Sequence, residues 1–275
     1  MTAATPPTPP TPPTSTEPVL LELDGAVATI TLNRPETLNL VSVVVRDALI
    51  EAVLAVRDMP DVRAVVLAAA GRHFSAGADL SEFGSADTVF EARRIRWDRD
   101  PWGPLWSLPQ PVVVALHGYA LAAGLEMALL CDIRLAATDT VVGLPETRLG
   151  MLPAAGGTQS LTKAIGPVAA LPWVLTADNI PAHVAVERAI LHRLVPHDAA
   201  AESPAEAVNT AAAELARRWA AIDPTLVQAA KRALRGAAEL DLDAGLALER
   251  RLARLARAAR DTRQTPVGAS REDRR

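Results

Sequence analysis

One apolar run, Val112 to Asp132, narrows the folds open to this chain more than any other segment. Pro111 to Leu116 is an uninterrupted apolar stretch, the pattern of a buried strand. His117 and Gly118 break it, and the small residues through Gly124 lead into a helical pattern. A carboxylate, Glu126, sits inside that apolar helix. A second, Glu146, follows Val141-Val142-Gly143-Leu144-Pro145. Carboxylates rarely enter apolar surroundings unpaired, because burying a lone charge is costly. Burial also raises a carboxyl pKa, which turns a Glu into a usable acid or base near neutral pH. Two readings follow: an acid/base couple, or structural carboxylates, with Glu146 paired to Arg148 for instance. The glutamates alone do not separate them.

The rest of the chain shows what surrounds this unit. Val19–Leu23 and Ala26–Leu32 flank Asp24-Gly25, a hairpin signal. Apolar spacing predicts a helix over 41–56 and a buried strand over 62–69. Residues 71–79 read as a turn of small residues. Strand and helix patterns in alternation predict an α/β layer fold with crossover units. The last third differs, with helices predicted over 205–220, 224–236 and 243–261. In the last of these, Leu248, Leu252, Leu255 and Ala259 form a stripe that needs a partner from the core or another subunit. Residues 2–18 are nearly all Thr, Pro, Ala and Ser and have almost nothing to bury. The predicted division is therefore a Pro/Thr-rich tail over 1–18, a core over 19–200, a helical region over 201–262 and a polar tail over 263–275.

Composition excludes several function classes. A formal net charge of −4 leaves no basic footprint for nucleic acid. No apolar run approaches a membrane span. Cys131 is the single cysteine, which excludes an intrachain disulfide and favours a reducing compartment. Its apolar neighbours predict a buried, inert thiol. With no basic start or apolar segment of a signal peptide, a cytoplasmic location is expected.

Two turns carry the chemistry. Arg72 to Leu80 ends a strand in small residues, and His117 to Glu126 opens a helix the same way. Such turns leave backbone N–H groups free and let a ligand approach the main chain. Facing each other, they can aim two donors at one carbonyl oxygen, the arrangement of an oxyanion hole.

These segments resemble the enoyl-CoA hydratase/isomerase, or crotonase, family over about residues 19–260. The resemblance rests on Ile30-Thr31-Leu32-Asn33-Arg34-Pro35, Phe74-Ser75-Ala76-Gly77-Ala78-Asp79-Leu80 and His117-Gly118-Tyr119 through Cys131-Asp132, with Leu144-Pro145-Glu146 and Gly156-Gly157-Thr158-Gln159. It implies an α/β spiral of repeated ββα units with a C-terminal helical region, of the ClpP/crotonase type, assembled as trimers or dimers of trimers. It implies an oxyanion hole from the N–H groups of Ala78 and Ala123, and CoA contacts at Ala76, Ala78, Asp79, Leu80 and Ala123. Glu126 and Glu146 would be the two catalytic carboxylates. No cofactor is expected, since coenzyme A enters as part of the substrate, and no metal. The implied activity is reversible addition of water to a trans-2-enoyl-CoA. Double-bond isomerisation, another enolate-forming reaction such as thioester hydrolysis, and a non-catalytic acyl-CoA-binding subunit are the alternatives.

Departures from the family pattern also bear on the site. Ala123 and Ala154 stand where Gly is customary, which predicts a restricted backbone and a narrower pocket. The usual C-terminal Phe-x-Glu-Lys-Arg segment is missing. Ser75 sits in a partial nucleophile elbow without its first glycine or ordered Asp and His partners, so a structural role is expected. His117 is expected to be a hydrogen-bonded structural residue. Trp97, Trp102 and Trp106 fit acyl contact or core packing equally well.

Overall fold

The computed structural model of the protein describes residues 16–84, 86–93, 100–197 and 203–264. The expected tails fall almost entirely outside these residues, as does Trp97. The strands are β1 (Val19–Asp24), β2 (Val27–Leu32), β3 (Ala64–Ala69), β4 (Val112–Leu116), β5 (Tyr119–Leu121), β6 (Ile133–Ala137), β7 (Val141–Gly143), β8 (Ile180–Pro181) and β9 (Arg193–Val195). The helices are α1 (Val43–Asp58), α2 (Val89–Arg93), α3 (Trp102–Ser107), α4 (Ala123–Leu130), α5 (Gly157–Ile165), α6 (Pro167–Thr176), α7 (Ala182–Glu187), α8 (Pro204–Ala220), α9 (Pro224–Gly236) and α10 (Leu242–Gln264).

Six strands form one sheet in the order β1-β2-β3-β4-β6-β9. The β1–β2 hairpin is antiparallel and every later pairing in this sheet is parallel. Because alternate side chains point to opposite faces, Val65, Leu67, Val112, Val114 and Leu116 join the core formed with α1 and α4. Ala64, Val66, Val113, Ala115 and Leu135 face the other way, onto α8. That helix presents Ala207, Val208, Ala212, Ala216 and Ala220, a ridge of mostly single methyl groups that lets it lie close against the sheet. A sheet covered on both faces explains why β3 and β4 carry no polar residue.

A second, three-stranded sheet runs β5-β7-β8. Each of β4 and β6 leads directly into a strand of this smaller sheet, β5 and β7, and then into helical structure. That ββα order is the repeat that the family resemblance implies. The helical last third separates into two parts: α8 belongs to the sheet layers, whereas α9 and α10 pack on each other. Of the expected stripe on α10, Leu252 is buried and Leu255 is 55% exposed, while Ala256, which the stripe did not include, is buried. The stripe's partner within the chain is α9, where a side chain at Gly236 would meet Leu248. Among the described residues no helix is long and apolar enough to cross a membrane.

Candidate active site

Two loops meet at the carboxyl ends of β3 and β4. Phe74 N–H donates to His117 O (3.0 Å), Ser75 N–H to Tyr119 O (2.9 Å) and Leu121 N–H to Ser75 O (3.0 Å). Ser75 and Ala120 thus form a parallel bridge, and the two small-residue turns lie side by side. The approach requires glycine at Gly77, which has φ +111° and where a Cβ would sit 2.8 Å from the Ala122 methyl. His73 adds a further tie, its ring stacked on Tyr119 at 4.5 Å and its Nδ1 accepting the Tyr119 N–H at 3.1 Å.

Ala78 and Ala123 each lie one residue beyond this close approach. Ala123 is the first residue of α4, so its N–H has no acceptor within the helix. Among the described residues neither N–H donates to another group. Ala123 takes a helical conformation, so the backbone restriction expected there falls elsewhere. It falls on Ala122, which has φ 48° and ψ −125°, a region costly for any residue with a Cβ.

Glu126 occupies the first turn of α4 and is 2% exposed. Its Oε1 accepts N–H bonds from Ala155 (2.9 Å) and Gly157 (2.8 Å), the residues leading into α5. Two backbone donors fix the orientation of this carboxylate. Glu146 lies in a 3₁₀ turn, Pro145–Leu149, which Pro145 starts and Gly150 ends in the left-handed region. Its carboxyl is also buried, and among the described residues Oε2 has no hydrogen-bond partner. Burial raises its pKa from 4.5 to about 7, and the nearby Glu126 charge pushes in the same direction. The expected alternative pairing does not form. Arg148 turns outward to Asp178 (3.6 Å) and the Thr176 carbonyl (3.3 Å). The two glutamates therefore share one region of the core without a cation between them from Arg148.

The other singled-out residues divide cleanly. Ser75 is fully buried, its Oγ donating to Asn39 O (2.8 Å) and accepting from Gly77 N–H (3.2 Å), which is a structural use of the hydroxyl. His117 is 1% exposed and bonded through Nε2 to Gly71 O, with burial lowering its pKa. Cys131 is buried, and desolvation raises its pKa to about 12, leaving an inert thiol. Trp106 carries the Arg235 guanidinium over its ring at 3.9 Å, and Trp102 packs against the core. Asp79 turns back to bond the N–H and Oγ of Ser81, while Ala76 N–H donates to Leu38 O and Leu80 is 53% exposed. Among the described residues no group of three or more His, Cys, Asp or Glu is placed to hold a metal ion.

Sequence reasoning missed four contributing residues: the donors Ala155 and Gly157, the strained Ala122, and Asn39. Asn39 is 1% exposed and sits in the left-handed region. Its amide nitrogen donates to Ala70 O and His73 O (both 2.9 Å), and its Oδ1 accepts from Arg34 N–H (2.8 Å). The only sequence signal for it was a polar residue between two leucines.

Comparison with known proteins places the chain. The family model described as enoyl-CoA hydratase/isomerase matches residues 22–271. The 2,3-dehydroadipyl-CoA hydratase of Escherichia coli is 36% identical over 235 residues, covering 86% of this chain and 88% of that protein. The short-chain-enoyl-CoA hydratase of Clostridium acetobutylicum is 34% identical over 233 residues, covering 84% and 86%. Among solved structures, an enoyl-CoA hydratase subunit from Geobacillus kaustophilus superposes with a TM-score of 0.81 at 34% identity, covering 90% of this chain and 92% of that one. The enoyl-CoA hydratase of Bacillus anthracis gives 0.78 at 30%, covering 90% and 98%. The architecture is the crotonase fold, and the chain belongs to the enoyl-CoA hydratase/isomerase family.

Proposed function

We propose that the protein is a hydro-lyase that reversibly adds water to a trans-2-enoyl-CoA to give a 3-hydroxyacyl-CoA. The observation that carries this reading is the buried carboxyl of Glu146, with one oxygen unpartnered and a pKa near 7, beside a second buried glutamate held by two backbone donors. Hydration needs a base for water and an acid for Cα, and this pair has one of each when it carries a single proton. In the proposed step Glu126 takes a proton from water as the water oxygen bonds to Cβ. The electrons of the double bond move toward the thioester oxygen, where the N–H groups of Ala78 and Ala123 stabilise the developing enolate. Glu146 delivers its proton to Cα. The proton on Glu126 then returns to Glu146 by way of solvent, restoring the starting pair. Ala76, Asp79 and Leu80, contiguous with Ala78, are proposed to contact the CoA portion. The hydratase names of the two relatives above support the reaction class. The exposed leucines of α9 and α10, Leu226, Leu234, Leu242 and Leu255, support association with further copies of the chain, proposed to be a trimer or a dimer of trimers.

The test is loss of conjugated-thioester absorbance when the protein meets 2-enoyl-CoAs of varied chain length. Glu126→Gln and Glu146→Gln are each expected to cut turnover by at least ~100-fold while retaining acyl-CoA binding. Unchanged turnover in both variants would overturn the assignment. Appearance of that absorbance from a 3-enoyl-CoA, without hydration, would instead identify an isomerase.

A further inference from the structure

The turn that carries Ala78 is braced along its length by a segment distant in sequence. Leu38 O accepts the Ala76 N–H, Asn39 O accepts the Ser75 hydroxyl, and Val41 N–H donates to Gly77 O at 2.8 Å. Val41 and Ala78 form an isolated parallel bridge. Immediately beyond, the chain enters α1 through its N-cap Ser42. The first N–H of that helix, Val43, has no intrahelical acceptor. Both carboxylate oxygens of Glu82 receive it, at 2.8 and 3.1 Å, and Arg46 lies 3.5 Å from the same carboxylate. Glu82 ends the short 3₁₀ turn that follows Ala78 and Asp79. The brace therefore closes at both ends of the turn, with Ser75 and Ala76 on one side and Glu82 on the other.

A negative side chain at a helix N-terminus gains from the N–H groups and from the helix dipole together. The Glu82 side chain is 27% exposed, so its substitution removes a tether without opening the core. We infer that Glu82 is a positioning residue, holding the Ala78 N–H where the thioester oxygen of the substrate arrives. The inference rests on the oxyanion role proposed above for Ala78. Small displacements of such a donor matter, since a shift of about 1 Å in a positioned group costs on the order of 100-fold in rate.

Three variants separate this from a purely structural role. Glu82→Ala removes the tether. Glu82→Gln keeps an acceptor for Val43 N–H and loses the charge. Ser42→Ala removes the N-cap bond to Val45 N–H, weakening the same end of α1 without touching the turn. Two readouts are taken on folded protein: kcat with a 2-enoyl-CoA, and the carbonyl stretch of bound butyryl-CoA labelled at the thioester carbonyl. Butyryl-CoA is saturated and cannot turn over, so its stretch reports the N–H donors directly. Glu82→Ala is expected to lower kcat by about 10- to 100-fold and to lose much of the shift seen in the parent protein. Glu82→Gln should recover most of both, and Ser42→Ala should lower Tm while leaving both in place. Parent-like kcat and shift in Glu82→Ala, or equal losses in Ser42→Ala, would overturn the inference. If the parent protein neither turns over nor shifts any acyl-CoA carbonyl, the proposed function fails and the inference fails with it. Parent activity with an indifferent Glu82→Ala sinks the inference alone.

Discussion

Gly157 has no room for a side chain because Glu126 fills the space: a Cβ would stand 2.7 Å from Oε1 and 2.9 Å from Cγ. The same residue donates its N–H to that oxygen. Backbone and carboxylate are thus fitted to one another, and the glycine at position 157 acquires a physical reason.

Gly157→Ala tests that fit. Gly157 is the first residue of α5, and alanine is the better helix former by about 1 kcal/mol. Overpacking against Glu126 and Pro153 opposes this with about 1–3 kcal/mol. The clash should win, and it acts on the carboxylate. Turnover is expected to fall at least ~10-fold with a modest drop in Tm. A more stable variant with parent activity would show that Glu126 has latitude the structure does not display.

Ala122→Gly should act in the opposite sense. A residue with a Cβ held at φ 48° and ψ −125° costs of order 1–3 kcal/mol. Glycine's greater freedom in the unfolded chain returns about 0.4–1 kcal/mol of that. A net gain of about 1 kcal/mol is therefore expected, read as a rise in the urea midpoint at unchanged m. A lower midpoint would mean that the Ala122 methyl, which faces Gly77, contributes packing that outweighs the strain.

The sequence made the long elements legible and the short ones not. β3 and β4 read directly as strands because burial on both faces leaves no polar interruption. The 224–236 helix matched residue for residue. β5, β7, β8 and β9 have only two or three residues each, too few for any period to show. Glu126 and Glu146 stood out because carboxylates are rare in apolar runs. Whether Arg148 faced Glu146 was not legible, since a 3₁₀ turn places neighbours differently from an α-helix. The backbone restriction was assigned to Ala123 and found at Ala122, because a φ angle depends on where the helix starts, and boundaries are the least readable part of a sequence.

Asp132 ties α9 to the core. Its two oxygens meet Lys231 at 2.7 Å and Arg235 at 2.8 Å, and the Lys231 side chain is 9% exposed. Asp132→Asn leaves both cations without their counter-ion. Removing one partner of a buried pair costs about 3–5 kcal/mol, and the one-fifth exposure of Asp132 reduces this to about 2–4 kcal/mol. Desolvation already lowers the Lys231 pKa, and losing Asp132 lowers it further. A lysine whose folded pKa lies below its unfolded value destabilises while charged. The variant should therefore be weakest near neutral pH and recover part of its loss as pH rises toward 10. Urea unfolding across that range checks it, and a pH-independent loss would remove Lys231 from the explanation.

Glu146 makes the last prediction, in both stability and rate. Its folded pKa of about 7 lies above the ordinary 4.5, so the proton favours the folded state. That stabilisation is fully present below about pH 4.5, declines as pH rises through about 7, and is gone above it. Glu146→Gln keeps a neutral group at every pH. Stability of the parent protein relative to Glu146→Gln should therefore fall between these values and level off beyond them. The rate follows the same proton. Hydration consumes and releases none overall, so its equilibrium constant is independent of pH in this range. The Haldane relation then forces kcat/KM for hydration and for dehydration to share one pH profile, although the two directions use the glutamates in opposite roles. Both should fall above about pH 7 as the pair loses its one proton, a macroscopic value belonging to the two carboxyls together. Measuring kcat/KM from each side with an enoyl-CoA and its 3-hydroxyacyl product tests this. A flat profile through pH 8 in either direction would mean that the proton on Glu146 takes no part in the reaction.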